Sequence, residues 1–231
     1  MSLKPVVKVS IIIPVLNEAS RIGGTLAALM PLRLRGGHEV LVVDGGSDDG
    51  TAELAKNGSD RVIHSEPGRA SQMNAGAAEA SGHILVFLHA DTRLPQDALD
   101  QLTAFSRSHW DWGRFDVRLS GNRPLFRLIG FMINLRSRLT GICTGDQAQF
   151  VRRALFEKLG GFPKIPLMED VALSKRLKRH SRPCCIRSPV TTDSRRWEKH
   201  GPWRTIWLMW RLRWDYWRGV TPDVLVRRYY G

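Results

Sequence analysis

Ile11-Ile12-Ile13-Pro14-Val15-Leu16-Asn17-Glu18, Val40-Leu41-Val42-Val43-Asp44 and Ile84-Leu85-Val86-Phe87-Leu88-His89-Ala90-Asp91 are apolar runs that each end on an acid. Runs this short and this rich in Val, Ile and Leu read as strands buried on both faces. Patterns with helical spacing separate them, over Glu18–Leu29, Asp48–Lys56 and Ala70–Ala80, and a further short run covers residues 61–63. Alternation of this kind signals βαβ units and an α/β fold with a mainly parallel sheet. The C-terminal ends of parallel strands share one rim, and ligands bind there. Asp44 and Asp91 therefore belong to a candidate site.

Working outward, Gly45-Gly46 supplies the turn from the second strand, and Ser47 or Asp48 is the expected cap of the helix after it. Pro95 is expected to open a helix over Gln96–Ser106. Beyond residue 110 the pattern changes. Trp112–Leu119 reads as a strand, Leu125–Leu139 as an amphipathic helix, Gln147–Val151 as a short strand, and Arg153–Leu159 and Glu169–Lys178 as helices. There is no internal repeat and no clear linker.

The 231 residues suffice for a full core, and 42% apolar with 25% charged residues is an ordinary globular composition. Three cysteines without a CxxC pattern, and no secretory signal, point to a reducing compartment. No run approaches the ~20 apolar residues of a membrane span. A cytoplasmic protein is expected, one able to sit peripherally on the inner face of the cell membrane. The net charge of +13 is lopsided: residues 1–100 hold 9 Lys/Arg against 12 Asp/Glu, and residues 101–231 hold 26 against 10. The second half should favour anionic partners.

Trp203, Trp207, Trp210, Trp214 and Trp217 recur at spacings of 4, 3, 4 and 3 and make one helical stripe, with Arg204, Arg211, Arg213 and Arg218 around it. Three readings are open. The helix packs on the core or on the partner subunit of a homodimer, or it lies in the plane of an anionic membrane surface, or it walls an acceptor site.

The candidate residues have competing readings too. Asp91, just past a buried strand, suits a divalent cation that bridges phosphates, and His89 points the same way if the segment stays extended; otherwise His89 is a structural histidine. Asp44 suits a ribose or a base N–H, or else holds its own turn. Arg69 and Asn74 open a helix that can receive a phosphate, or are a surface arginine and a helix-facing asparagine. Glu169 and Asp170 at a helix start complement its dipole; an ionised carboxylate there can also take a proton from an attacking hydroxyl.

In this order, Ser10-Ile-Ile-Ile-Pro-Val-Leu-Asn-Glu18, Val43-Asp-Gly-Gly-Ser-Asp-Asp-Gly-Thr51, Phe87-Leu-His-Ala-Asp-Thr92 and Met168-Glu-Asp-Val171 resemble glycosyltransferase family 2, with the GT-A fold. The resemblance implies a mainly parallel central sheet flanked by helices and a nucleotide-sugar donor held by Pro14, Glu18 and Asp44. It also implies Mg2+ or Mn2+ at Asp91 and inverting transfer of one sugar to a hydroxyl, with Asp170 as general base and Glu169 beside it. His89 stands where the first aspartate of the family's Asp-X-Asp motif is usual. Gly145-Asp-Gln-Ala-Gln-Phe150 and Arg195-Arg-Trp-Glu-Lys-His-Gly201 look like a small bacterial subgroup linked to arsenosugar biosynthesis, which puts acceptor contacts at Asp146, Gln147, Arg196 and Trp197. The acceptor is expected to be a small molecule or lipid-linked. The expected division is a GT-A domain over 1–195, with a nucleotide half to about 110 and an acceptor half from about 111, and a helical extension over 196–231.

Two other classes compete. A dinucleotide-binding oxidoreductase would explain Asp44, but Pro14-Val15-Leu16-Asn17-Glu18 replaces the glycine-rich turn such a site needs. A basic protein that binds nucleic acid or a membrane surface would explain the charge. No nucleic-acid motif accompanies it, and no specific nucleic-acid partner is expected.

Overall fold

The β-branched runs form the strands expected of them. The computed structural model describes residues 7–230, apart from the side chains of Arg196, His200 and Tyr230. The first half runs β1 (Val9–Val15), α1 (Ala19–Leu34), β2 (Glu39–Asp44), α2 (Thr51–Lys56), β3 (Arg61–His64), α3 (Arg69–Glu79) and β4 (Ile84–Phe87). Then come β5 (Thr92–Arg93), α4 (Ala98–Ser106), β6 (Trp112–Leu119), α5 (Pro124–Thr140), β7 (Phe150–Arg152), α6 (Arg153–Lys158), α7 (Glu169–His180) and β8 (Cys184–Thr192). Three helices close the chain: α8 (Arg195–His200), α9 (Pro202–Trp217) and α10 (Pro222–Tyr230).

The strands make one sheet in the order β3-β2-β1-β4-β7-β6-β8-β5. The β3-β2-β1-β4 half is parallel throughout. β7 runs antiparallel to both β4 and β6, while β6 and β8 are parallel. Strand alternation splits the core between the two faces. Ile11, Ile13 and Val15 pack with α1 and α4 residues such as Leu26 and Leu102, and Ile12 packs with Met73 and Ala77 of α3. Gly76 lets α3 lie close on the sheet, since a Cβ there would stand 2.5 Å from Ile12 Cγ2. Pro14 sits in a central strand at no cost. Ile12 and Pro14 turn their backbone polar groups the same way, Leu88 N–H reaches the Ile12 oxygen, and β4 has ended by Phe87.

Several expected boundaries shift. α2 begins at Thr51, capped by Gly50 at φ +85°, rather than at Ser47 or Asp48. Both of those residues are drawn into a loop lattice with the segment after β1. α4 begins at Ala98 rather than Gln96. The strand expected over Gln147–Val151 is a 3-10 turn at Gly145–Gln147 followed by β7 from Phe150.

The tryptophan stripe does not pack on the core. Trp203, Trp207, Trp210, Trp214 and Trp217 are 58–72% exposed. A different stripe of α9 faces inward: Leu208, Met209, Leu212 and Tyr216 pack with Leu167, Met168 and Val171 at the start of α7 and with Leu225 of α10. Among the described residues no helix is long and apolar enough to cross a membrane.

Candidate functional site

Two loops meet at the ends of β1 and β2. Asp44 is 2% exposed, and its carboxylate accepts from Gly46 N–H at 3.2 Å, from Ser47 N–H at 3.1 Å and from Ser47 Oγ–H at 2.5 Å, with His64 Nδ1 at 3.6 Å. The loop is then tied to the other strand end. Asn17 N–H donates to Ser47 Oγ, Asp48 N–H to Asn17 Oδ1, Glu18 N–H to Thr51 Oγ1 and Ala19 N–H to Asp49 Oδ2. Asp49 thus satisfies a backbone donor at the start of α1. Glu18 caps α1 without a side-chain bond, and its carboxylate pairs with Arg21 at 2.6 Å. Pro14 is buried in β1 between these groups and the core.

His89 and Asp91 part company. Thr92 N–H donates to the His89 carbonyl at 3.0 Å, so the segment turns instead of staying extended. Asp91 is exposed and lines a cavity of about 440 Å³ with Arg21, Thr25, Arg93, Asp193 and Arg195. Its carboxylate accepts from Thr92 Oγ1 at 3.1 Å. Among the described residues no three His, Cys, Asp or Glu side chains cluster as a complete metal site. A cation that bridges donor phosphates needs only one or two protein carboxylates, and an exposed Asp91 fits that demand.

His89 instead packs against Gly145, where a Cβ would stand 2.3 Å from its Nε2. Burial, and then the Arg69 guanidinium, push its pKa down to about 3 against the opposing pull of Asp146. The imidazole is therefore neutral near pH 7. This is the structural reading of His89, and it takes the side chain away from Asp91.

Around His89 the structure gathers Arg69, Asp146, Glu169 and Asp170. Arg69 is the first residue of α3, and its charge acts on His89, Glu169 and Asp170 together. Met168 enters α7 in a left-handed conformation at φ +68°, which any residue but glycine adopts at a cost. Asp170 then accepts from Gly145 N–H at 2.8 Å and from its neighbour Val171 N–H at 2.6 Å. Burial still raises its pKa, with Asp146 adding to the rise and Arg69 working against it. Glu169 is 4% exposed; burial, and then the Asp170 charge, raise its pKa to about 7. The pair is a buried dyad with raised pKa values, a property general acid–base groups share.

Other expected contacts are spent inside the fold. Asn74 uses both ends of its amide on the Phe162 backbone, at 2.9 Å each, so it is not free for a phosphate. Gln147 is fully buried, closes a capping box with Thr144 and reaches Asn134 Oδ1 at 3.4 Å, which keeps it from an acceptor. Trp197 packs against the Leu119, Phe126 and Ile129 cluster. The Arg196 side chain lies outside the described residues. Asp146 accepts from Thr144 Oγ1 at 2.5 Å beside the dyad.

Sequence reasoning missed two residues. Arg136 of α5 and Arg213 of α9 both feel Asp146 and Asp170, and burial lowers both pKa values, that of Arg213 to about 10. Arg213 had been read only as a flank of the tryptophan stripe. Its position directly after Leu212 was the available signal, once the inward stripe of α9 is known.

A βαβ half with a loop-bound Asp44, joined to a mixed half that carries a buried acid dyad, is the architecture of a GT-A glycosyltransferase. Residues 10–160 match the model of "Glycosyl transferase family 2", and the chain belongs to that family. An undecaprenyl-phosphate 4-deoxy-4-formamido-L-arabinose transferase of Yersinia pestis is 33% identical over 167 residues, covering 66% of this chain and 50% of the relative. Glycosyltransferase AglE of Haloferax volcanii is 38% identical over 101 residues, covering 40% of this chain and 33% of the relative. The chain thus spans half or less of these relatives. Among solved structures, a mannosyltransferase of Pyrobaculum calidifontis with GDP-Man and Mn2+ superposes with a TM-score of 0.62 at 25% identity, covering 80% of this chain and 56% of that one. The glucosyl-3-phosphoglycerate synthase of Mycobacterium tuberculosis with Mn2+, UDP-Glc and phosphoglyceric acid gives 0.60 at 21%, covering 79% and 70%.

Proposed function

We propose that this glycosyltransferase moves one sugar from a nucleotide-sugar donor to a hydroxyl acceptor with inversion, and that Asp170 is the general base. The observation that carries the reading is the Glu169–Asp170 dyad, buried at the start of α7 with raised pKa values and fixed by the Gly145 and Val171 N–H groups. The acceptor oxygen forms a bond to the anomeric carbon as the bond from that carbon to the donor phosphate breaks. The leaving diphosphate keeps the electron pair, and the hydroxyl proton passes to Asp170. A carboxylate with a raised pKa is the stronger base once ionised. Glu169, its pKa raised to about 7 by burial and by the Asp170 charge, is partly protonated near neutral pH, which limits the charge beside Asp170.

On the donor side, the Asp44 loop and Glu18 support nucleoside binding, and Arg69 supports a place for phosphate at the start of α3. Mg2+ or Mn2+ at Asp91 would neutralise charge on the leaving diphosphate; the solved relatives with Mn2+ support that cofactor. Residues 1–195 are the proposed transferase unit, donor half to about 110 and acceptor half beyond, with 196–231 as the extension.

The outward face of α9, five exposed tryptophans with Arg204, Arg211 and Arg218, supports docking on an anionic membrane, on the inner face of the cell membrane for a cytoplasmic protein. A homodimer through that face is the competing arrangement, separable by liposome flotation and light scattering. The Yersinia relative's name supports a lipid-linked acceptor. The Gly145–Phe150 and Arg195–Gly201 resemblances support an acceptor of arsenosugar type.

The test is a thermal-shift panel of UDP-, GDP-, CDP- and dTDP-sugars with and without Mn2+. One donor class should raise the Tm, more so with metal, since a ligand at 100 times its Kd stabilises by about 2.7 kcal/mol. No shift with any nucleotide sugar would contradict the proposal.

A further inference from the structure

Arg136 and Arg213 have no part in the transfer chemistry described above, yet both lie at the dyad. Arg136 Nη2 reaches Thr144 Oγ1 at 3.4 Å, and its Nε is buried without a hydrogen-bond partner. Arg213 follows Leu212, which is fully buried in the cluster formed with Met168 and Val171. Among the described residues neither guanidinium forms an ion pair. The nearby carboxylates are engaged elsewhere: Asp170 with two backbone N–H groups, and Asp146 with Thr144. Each cation therefore bears a desolvation cost with no carboxylate paired to it, and the two repel each other.

A phosphate group seated between them would satisfy both, because a guanidinium fork matches phosphate oxygens in pairs. The proposed place of the leaving diphosphate has its own cations, Arg69 at the start of α3 and Arg93 at the Asp91 cavity, where Arg21 and Arg195 are paired with Glu18 and Asp193. We infer that Arg136 and Arg213 form a receptor for a phosphate group on the acceptor, so that the hydroxyl beside it is presented to Asp170. The inference rests on the transferase reading for the word acceptor; the receptor itself does not. It also gives the C-terminal extension a role in the site, since α9 supplies one of the two cations.

The test measures binding of inorganic phosphate, and of UDP or GDP with Mn2+, to the wild type, Arg136→Gln, Arg213→Gln and Arg213→Lys. Phosphate affinity should fall by about 30-fold in each glutamine variant and by less in the lysine variant. Nucleoside diphosphate affinity should stay within about twofold. Unliganded Tm values identify any variant that fails to fold, and Arg213→Lys keeps the charge where Arg213→Gln does not. Phosphate affinity unchanged by both glutamine substitutions would overturn the receptor, as would a parallel loss of nucleoside diphosphate binding, which would place the arginines on the donor. Glycerol 3-phosphate binding in solution would assign a soluble acceptor, and binding only to phosphatidic-acid vesicles a lipid-borne one; binding to neither overturns the proposal. If no nucleotide sugar binds but phosphate is held through both arginines, the transferase reading fails and the receptor stands.

Discussion

Asp44 ends β2 in the first half of the chain, Asp170 opens α7 in the second, and the two are held in opposite ways. Asp44 accepts from Gly46 N–H, Ser47 N–H and the Ser47 hydroxyl, all in its own turn. Asp170 accepts from two backbone donors, and burial pushes its pKa up in spite of them. Beside it Glu169 is raised to about 7. One carboxylate shapes a loop. The other two sit in a place where charge is costly, so burial raises the pKa of both, that of Glu169 to about 7. Burial alone does not distinguish a structural acid from a chemical one; the supply of hydrogen-bond donors does.

The largest break in this contrast should come from Asp170→Asn, which removes the proposed base and keeps the shape. A loss of about 10²–10⁴ in kcat is expected. Asp44→Ala leaves the Gly46 and Ser47 donors without their acceptor and should cost about 3 kcal/mol of stability in urea denaturation. In kinetics it should raise KM for the donor while kcat changes little, the reverse of Asp170→Asn.

Glu169→Gln sharpens the comparison through pH. A pKa raised on folding means that the folded protein holds the proton more tightly, so the contribution to stability is full below pH 4.5 and is lost as pH rises through about 7. Wild-type stability should therefore fall relative to Glu169→Gln across that window, by on the order of 3 kcal/mol. A difference independent of pH would contradict the buried dyad. The smallest effect is expected from Gly145→Ala. Its Cβ would meet His89 Nε2 and push the Gly145 N–H from Asp170. The acid limb of kcat/KM should move to higher pH as the carboxylate loses a donor, with a rate loss of about tenfold.

The first half was legible because β1, β2 and β4 are buried on both faces and are dominated by Val, Ile, Leu and Phe. The acids at their ends follow from that reading. The second half was less legible for three physical reasons. The α9 helix carries apolar residues on nearly every side, so periodicity showed a tryptophan stripe but could not tell that Leu208, Met209, Leu212 and Tyr216 are the face that packs. The turn at Thr92 and His89 is a backbone hydrogen bond with no side-chain signature, so the parting of His89 and Asp91 was hidden. Asn74 and Gln147 look like ligand-binding amides, but their partners, Phe162 and Asn134, are 88 and 13 residues away. Glu169 and Asp170 were legible as a helix start because acids there and a following amphipathic helix leave a local pattern; the role of base for Asp170 is a proposal that follows the family resemblance. Arg136 and Arg213 left none, since their meeting depends on how α5 and α9 dock.

The most direct test of the division between a loop acid and a proton-transfer acid is donor affinity measured by calorimetry on Asp170→Asn, on the preparation used for its kinetics. The account predicts a donor Kd within about twofold of wild type beside a transfer rate that is nearly abolished. Transfer at close to the wild-type rate would contradict it.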